Sequence, residues 1–600
     1  MLRLLHSHAV LSKHFFVWMF WIFLFPATAC LSQINANAAQ GASPYAVYNV
    51  GDIDNVNILN GNVFVKIPLL SYPQRGKDLT MNFYIYANDK QWYIGNYQGG
   101  ATYTGNWTGA AFTTGITPEP LVGAYVARDQ DLAFGVDTLT STSTGGGEPY
   151  DQYTITTTNN GFYAITGDGS KHYVGDIVYL RCQAQGSGSC PSIPNAYGNQ
   201  YPATDATGYL PISIGFPGST TNEVKDPNGV DYKAVVTNPQ LPTFSAQTTQ
   251  TDRNGNLITI NNNGWTDTVG RAIPGSYSGP GGVPGDEAVA SAPSEPIPGT
   301  PLAQGQVGNC PSGTAAARDW AVPAHDGSTQ HYYLCYQNFA YQTAFNLDQV
   351  LNTTLYEGVY EASSSNANNE PALLLTAVVL PNSTSYTFSY DQYLSLTQIN
   401  LPTGGSIAYT WQNIAFDPFN GTRPISRAIE TRTLTPGNGQ PAETWTYHWL
   451  ITYAAGNNGT SYISYPMWHI VTDPAGNDVE HQLNREQEQQ TVYYSGCGPH
   501  DTASNRTCSG SGVTLKTLSY AYTEYDSGGY TFGTPASIGP GLTDPLFRAT
   551  TTTTTLPTST SGQSLVSQEV IALTPKYGTC DQYYGYNGSQ PEYQVVTPCY

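Results

Sequence analysis

The sequence predicts a mostly β protein: antiparallel hairpin repeats forming an extended or shell-like β-sheet array, with a β-sandwich-like N-terminal part. Three observations carry this expectation. Only 11% of the residues are charged, while the chain holds 45 Tyr, 61 Gly and 41 Pro, a composition suited to pleated surfaces and turns rather than to solvated helices. Aromatic residues recur at alternate positions in many segments, and short Asp-x-x-Gly phrases recur between them. At 600 residues the chain exceeds one ordinary core and calls for several domains or a repeat array. Its 43 acidic and 22 basic residues give a net charge of -21, which repels phosphate backbones and excludes nucleic acid as an expected partner.

From the N-terminus, residues 1–30 read as a signal peptide, with cleavage as late as residue 38. Arg3 and Lys13 precede the apolar block Phe15 to Phe25, and the small residues Ala27 and Ala29 follow. That block is too short to cross a hydrocarbon core of ~30 Å. Export is therefore expected, to the medium or the outer cell surface. Cys30 directly follows Ala27-Thr-Ala29 and is a candidate for lipidation, the one expected link to a membrane; the alternative is plain cleavage at Ala36-Asn-Ala38. Beyond the signal come an N-terminal β region (42–160), a first β-repeat region (161–273), a Pro/Gly-rich linker or loop (274–308) and a C-terminal β-repeat region (309–600).

In the N-terminal region Val63 and Val65 alternate with Phe64 and Lys66, a break is expected from Pro68 to Gly76, and Leu79, Met81, Phe83 and Ile85 alternate with Thr80, Asn82, Tyr84 and Tyr86. A period of two is the mark of a strand. The same alternation recurs at Tyr386, Phe388 and Tyr390, at Ile407, Tyr409 and Trp411, at Trp445, Tyr447 and Trp449, and at Leu518, Tyr520 and Tyr522. Turn phrases stand at Asp226 to Gly229, Asp252 to Gly255, Asp267 to Gly270 and Asp473 to Gly476. Asp accepts local N–H groups there and Gly takes the positive φ that closes a hairpin. A single hairpin cannot bury its own face, so such units are expected to stack side by side.

Eight cysteines follow Cys30 as close sequence neighbours: Cys182 and Cys190, Cys310 and Cys335, Cys497 and Cys508, Cys580 and Cys599. Eight cysteines allow about a hundred connectivities; the spacing motivates nearest-neighbour disulfides as a hypothesis and fits an oxidising compartment. With no Cys-x-x-Cys and no zinc-spaced Cys/His set, metal ligation is the weaker reading.

Chemistry-bearing motifs are sparse. No Gly-x-Ser-x-Gly, Ser-x-x-Lys, His-Glu-x-x-His, Walker or Rossmann pattern occurs in the exported region. Glu480 and His481 are adjacent, yet on a strand neighbours point to opposite faces, which predicts two structural residues and not a dyad. Asp252, Asn254 and Asn256 offer oxygens at alternate positions, as calcium loops do, without the closing bidentate Glu; the plainer account is turn chemistry. Trp411, Trp445 and Trp449 are candidate sugar-stacking residues, with cross-strand packing as the competing use.

The phrases Tyr386-Thr-Phe-Ser-Tyr390-Asp391, Leu396 to Tyr409, Thr251-Asp-Arg-Asn-Gly-Asn-Leu-Ile258, Thr266 to Arg271 and Val471-Thr-Asp-Pro-Ala-Gly-Asn477, with the opening Asn60-Gly-Asn-Val-Phe-Val-Lys-Ile-Pro-Leu69, resemble the YD-repeat or Rhs-type surface proteins of bacteria. The resemblance implies a sheet array wound into a shell or rod, which in long members encloses a C-terminal toxin behind a core segment. This sequence departs from that plan: it shows no such core and no toxin domain, and its repeats are irregular. It reads as a shortened or degenerate relative, or as one cut off from downstream sequence. The expected function is a surface scaffold or a binding and adhesion module for extracellular polysaccharide or protein, without enzymatic activity and with no cofactor beyond calcium. The alternatives are an extracellular polysaccharide-acting hydrolase and a remnant of a toxin-delivery shell.

Overall fold

The computed structural model describes residues 48–72, 79, 81–90, 92–95, 105–109, 123–128, 132–145, 153–184, 196–200, 203, 207–213, 221–235, 245–246, 249–261, 264–270, 273, 299–303, 305–324, 326–344, 359–360, 371–415, 425–455, 461–484, 487–501, 512–522, 549–558, 563–570, 574–576 and 592–594. The signal segment, Cys30, residues 274–298, Cys190, Cys508, Cys580 and Cys599 lie outside them. The chain is mostly β, and the described residues form strands and turns with no helix.

Its largest element is a 15-stranded antiparallel sheet, here the long sheet, that runs from Thr300–Pro301 to Ser564–Val570. Its strands lie side by side almost in chain order; only Val359–Tyr360 leaves the row, to pair in parallel with Gly105–Gly109. Such an order follows from hairpin connections, which place each new strand beside the last. The stretch 274–308 accordingly does not stay irregular to its end, because Thr300 and Pro301 pair with Asp319 and Arg318.

One turn geometry closes eight hairpins among the described residues, five of them in the long sheet. In each, the N–H of the first residue donates to the carbonyl of the fifth, and the N–H of the fourth donates back to the carbonyl of the first. The first residues are Thr166, Asp226, Asp252, Ala324, Leu380, Asp391, Leu401 and Asp473. The fourth residue has positive φ in every case: Gly in six, Ser383 and Leu394 in two. This is a type I turn followed by a left-handed bulge residue, whose twist matches that of paired strands.

The N-terminal sheet consists of Tyr48–Val50, Asp54–Asn57, Val63–Tyr72, Met81–Asn88 and Gly123–Arg128 in the order written. Val63–Tyr72 passes through Pro68, where a break was expected; a register shift between Pro68 and Leu70 absorbs the proline's missing donor. Val63, Val65, Ile67, Phe83, Ile85 and Val126 on one face join a continuous core with Ile407, Ile429 and Tyr447 of the long sheet. Phe64, Tyr86 and Tyr125 on the opposite face make a second aromatic cluster, with ring centroids 6.0 Å and 5.8 Å apart along the row. A six-stranded sheet from Leu210–Ser213 to Gly264–Thr266 adds Tyr232, Ile258 and Trp265 to the same core. That core crosses the regional boundaries drawn at 160 and 309.

Candidate functional site

Three polar clusters stand out against the apolar core. The first straddles the strand Asp478–Asn484. Glu480 and His481 point to opposite faces, as strand parity requires, and each finds its partner from a different segment. Glu480 is fully buried on one face; its Oε1 accepts the His500 backbone N–H at 2.8 Å and its Oε2 lies 2.7 Å from His500 Nδ1. The His500 ring stacks on Trp468 with centroids 3.8 Å apart. The loop carrying His500 can cover Glu480 because residue 498 is glycine: a Cβ there would sit 2.1 Å from Glu480 Oε1. On the core face His481 Nδ1 lies 2.6 Å from Glu488 Oε1, which also accepts the Thr491 hydroxyl at 2.6 Å. His469, opposite His481 in the register, binds the Ile58 carbonyl through Nδ1 at 2.7 Å. Burial lowers its affinity for a second proton, to a pKa of about 4.

The second cluster joins the N-terminal sheet to the long sheet. Arg432 grips Asp54 with two bonds, Nε to Oδ2 at 2.6 Å and Nη2 to Oδ1 at 2.7 Å. The Tyr409 hydroxyl donates to Asp54 Oδ2 at 2.8 Å, and Tyr447 donates to Asn49 Oδ1 at 2.9 Å. Burial, reinforced by Asp54, raises the Tyr409 phenol well above its ordinary value, which keeps it a donor. The third cluster gathers Asp89, Lys90, Asp391, Ser395 and Arg427 at the tip of the strand Met81–Asn88. Arg427 Nη1 donates to Asp391 Oδ2 and to Ser395 Oγ at 2.6 Å, and its guanidinium lies 4.2 Å from the Tyr393 ring centre.

The residues singled out from sequence occupy other places. Trp411, Trp445 and Trp449 are half-buried and pack against the core. The Trp411 and Trp449 indole N–H groups donate to the Leu396 and Ile429 carbonyls at 2.8 Å and 2.7 Å, and Trp445 stacks beneath Arg432. Period-two alternation put these rings on one face, and that face is the one turned to the core. In the turn at Asp252, Oδ1 accepts the N–H groups of Asn254 and Asn256 and Oδ2 accepts the Asn256 side-chain amide at 2.7 Å. Turn hydrogen bonds thus use both carboxylate oxygens of the calcium candidate. Of the cysteine pairs, Cys310–Cys335 is a disulfide with Cα atoms 5.7 Å apart, and Cys182 and Cys497 are also in the disulfide form. Asp478 and Asp501 lie near Cys497, but a disulfide sulfur is not a thiolate ligand, and Asp478 already accepts from Thr472 and the Gly498 N–H.

The sequence singled out Glu480 and His481 but not their partners His500 and Glu488, and the other two clusters were missed. His500 is 20 residues from Glu480 and Arg432 is 378 from Asp54, separations that no local motif spans. Comparison with protein-family models and with curated proteins finds no match for this chain.

Proposed function

We propose that the protein is an exported bacterial surface scaffold that presents a binding surface, with polysaccharide as the first ligand class to test. The observation that carries this reading is the distribution of its polar groups along the long sheet. The Asp54–Arg432 pair and the Tyr409 and Tyr447 hydrogen bonds join the N-terminal sheet to the long sheet, while the pairs at Glu480, His481 and Arg427 tie turns and strands within the long sheet, an arrangement that serves architecture. The distal strands Val513–Tyr522, Ala549–Pro557 and Ser564–Val570 leave that core behind. Val513, Leu515, Leu556, Leu565, Val566 and Val570 are exposed there among Thr, Ser and Gln, and exposed aliphatic residues grouped on neighbouring strands mark interaction surfaces. Of the phrases that resemble YD repeats, Tyr386 to Asp391, Leu396 to Tyr409 and Val471 to Asn477 occupy strands and turns of this sheet, and the others fall in the six-stranded and N-terminal sheets.

The test is retention of the exported chain on an array of bacterial and plant polysaccharides, beside a Val566→Lys, Val570→Lys variant. Saturable retention that the variant loses, with the glycan left intact, is the expected result. Release of shortened glycan would overturn the scaffold reading in favour of a hydrolase. Equal retention of the variant, or none by folded protein, would overturn the assignment of the distal strands as a polysaccharide surface.

A further inference from the structure

We propose that Asp89 and Lys90 form a proton-operated interlock between the N-terminal sheet and the long sheet. Both residues follow the last residue of the strand Met81–Asn88 and are buried, with 5% and 3% of their surface exposed. The Asp89 backbone N–H donates to Asn62 Oδ1 at 2.9 Å, which fixes the main chain that carries the carboxyl. Neither carboxyl oxygen is hydrogen-bonded among the described residues, an arrangement that strongly disfavours the ionised form. Lys90 Nζ donates to the Arg427 carbonyl of the facing strand Ile425–Thr435. The charged groups that face the pair are Arg427, from that strand, and Asp391, from the turn after Ser385–Tyr390. The Ser395 hydroxyl is close enough to favour the carboxylate slightly.

Burial pushes the Asp89 carboxyl up to about 7, against the pull of Arg427 and with the help of Asp391. Burial lowers the Lys90 amine to about 7, against the attraction of Asp89 and with the repulsion of Arg427. When the junction opens, water restores the ordinary values of 3.8 and 10.5. Between these limits the open pair carries one proton, on Lys90. Below neutrality the closed pair holds one proton more than the open pair, so acid tightens the junction. Above neutrality it holds one fewer, so alkali tightens it too. The junction is loosest near neutral pH, and each limb changes the closed-to-open ratio about tenfold per pH unit.

The test uses the full chain and its Asp89→Asn and Lys90→Met variants, with unfolding followed from about pH 4.5 to about pH 9.5. Relative to Asp89→Asn, the wild-type unfolding constant is expected to rise about tenfold per pH unit up to neutrality and then level off. Relative to Lys90→Met, it is expected to fall about tenfold per unit above neutrality. Profiles parallel to those of the variants would overturn the proposal. Should a variant not fold, infrared difference spectra of the wild type decide: a protonated-carboxyl band that vanishes around pH 7 is expected, and no carboxyl titrating within about one unit of neutrality would overturn it.

Discussion

Glu480 shows how a single small residue sets the fate of a buried charge. Its two oxygens are satisfied only because the loop at Gly498 lies directly against them. Gly498→Ala is expected to lift that loop, strip the carboxylate of the His500 bonds and cost about 1–3 kcal/mol, read as a lower unfolding midpoint. His469 makes the opposite statement about protons. Its folded-state pKa of about 4 lies below the ordinary 6.5, so the neutral ring contributes stability that is complete above 6.5 and is lost as pH falls toward 4. Against a His469→Gln variant, the wild-type advantage should shrink about tenfold in equilibrium constant per pH unit across that window; a constant difference would contradict the buried neutral ring. Strand parity made the separation of Glu480 from His481 legible in the sequence. Their partners were not legible, because His500 and Glu488 are chosen by loop closure and by hairpin register.

Among the elements, the turns were the most legible. Asp226, Asp252 and Asp473 were recognised by the glycine three residues on, and each opens the same hydrogen-bonded loop. The turns at Leu380 and Asp391 escaped recognition because Ser383 and Leu394 hold the left-handed position, with φ of 66° and 62°. Asp391 nevertheless uses the same chemistry, its Oδ1 accepting the N–H groups of Tyr393 and Ser395 at 2.8 Å and 3.0 Å. The two exceptions should respond oppositely to glycine. Ser383 is exposed, so Ser383→Gly relieves backbone strain and should stabilise by about 0.5–1 kcal/mol. Leu394 is fully buried, so Leu394→Gly gives up more in lost burial than it relieves and should destabilise by about 1–3 kcal/mol. Chemical unfolding of both variants measures the contrast; a gain in both would show that packing at Leu394 contributes little. The strand through Pro68 was misread for a related reason: a bulge keeps a proline inside a pairing that its missing N–H would otherwise end.

At the scale of the whole molecule, the mostly β class and the side-by-side hairpins followed from composition and period. The docking of the N-terminal sheet did not, since it depends on contacts such as Asp54 with Arg432 across 378 residues. That pair is buried and doubly hydrogen-bonded, so Arg432→Met alone should cost about 3–5 kcal/mol by stranding the Asp54 charge. Asp54→Asn combined with Arg432→Met should recover part of the loss, and a double-mutant cycle on unfolding free energies reads the coupling. Additive losses would mean that Asp54 and Arg432 do not couple and that this pair does not help hold the two sheets together.

The long reach of those contacts has a consequence for how the chain comes into being. A ribosome delivers residues 48–128 several hundred residues before Tyr409, Arg432, Tyr447 and His469, which complete their hydrogen bonds. Throughout that interval the earliest strands offer an apolar face and an unpaired carboxylate to whatever else is nearby. The hairpins that follow can form one after another as they appear. The N-terminal sheet thus reaches its native surroundings only after partners as far along as His469 exist, and its vulnerability to misassembly is set by the time needed to make that intervening stretch.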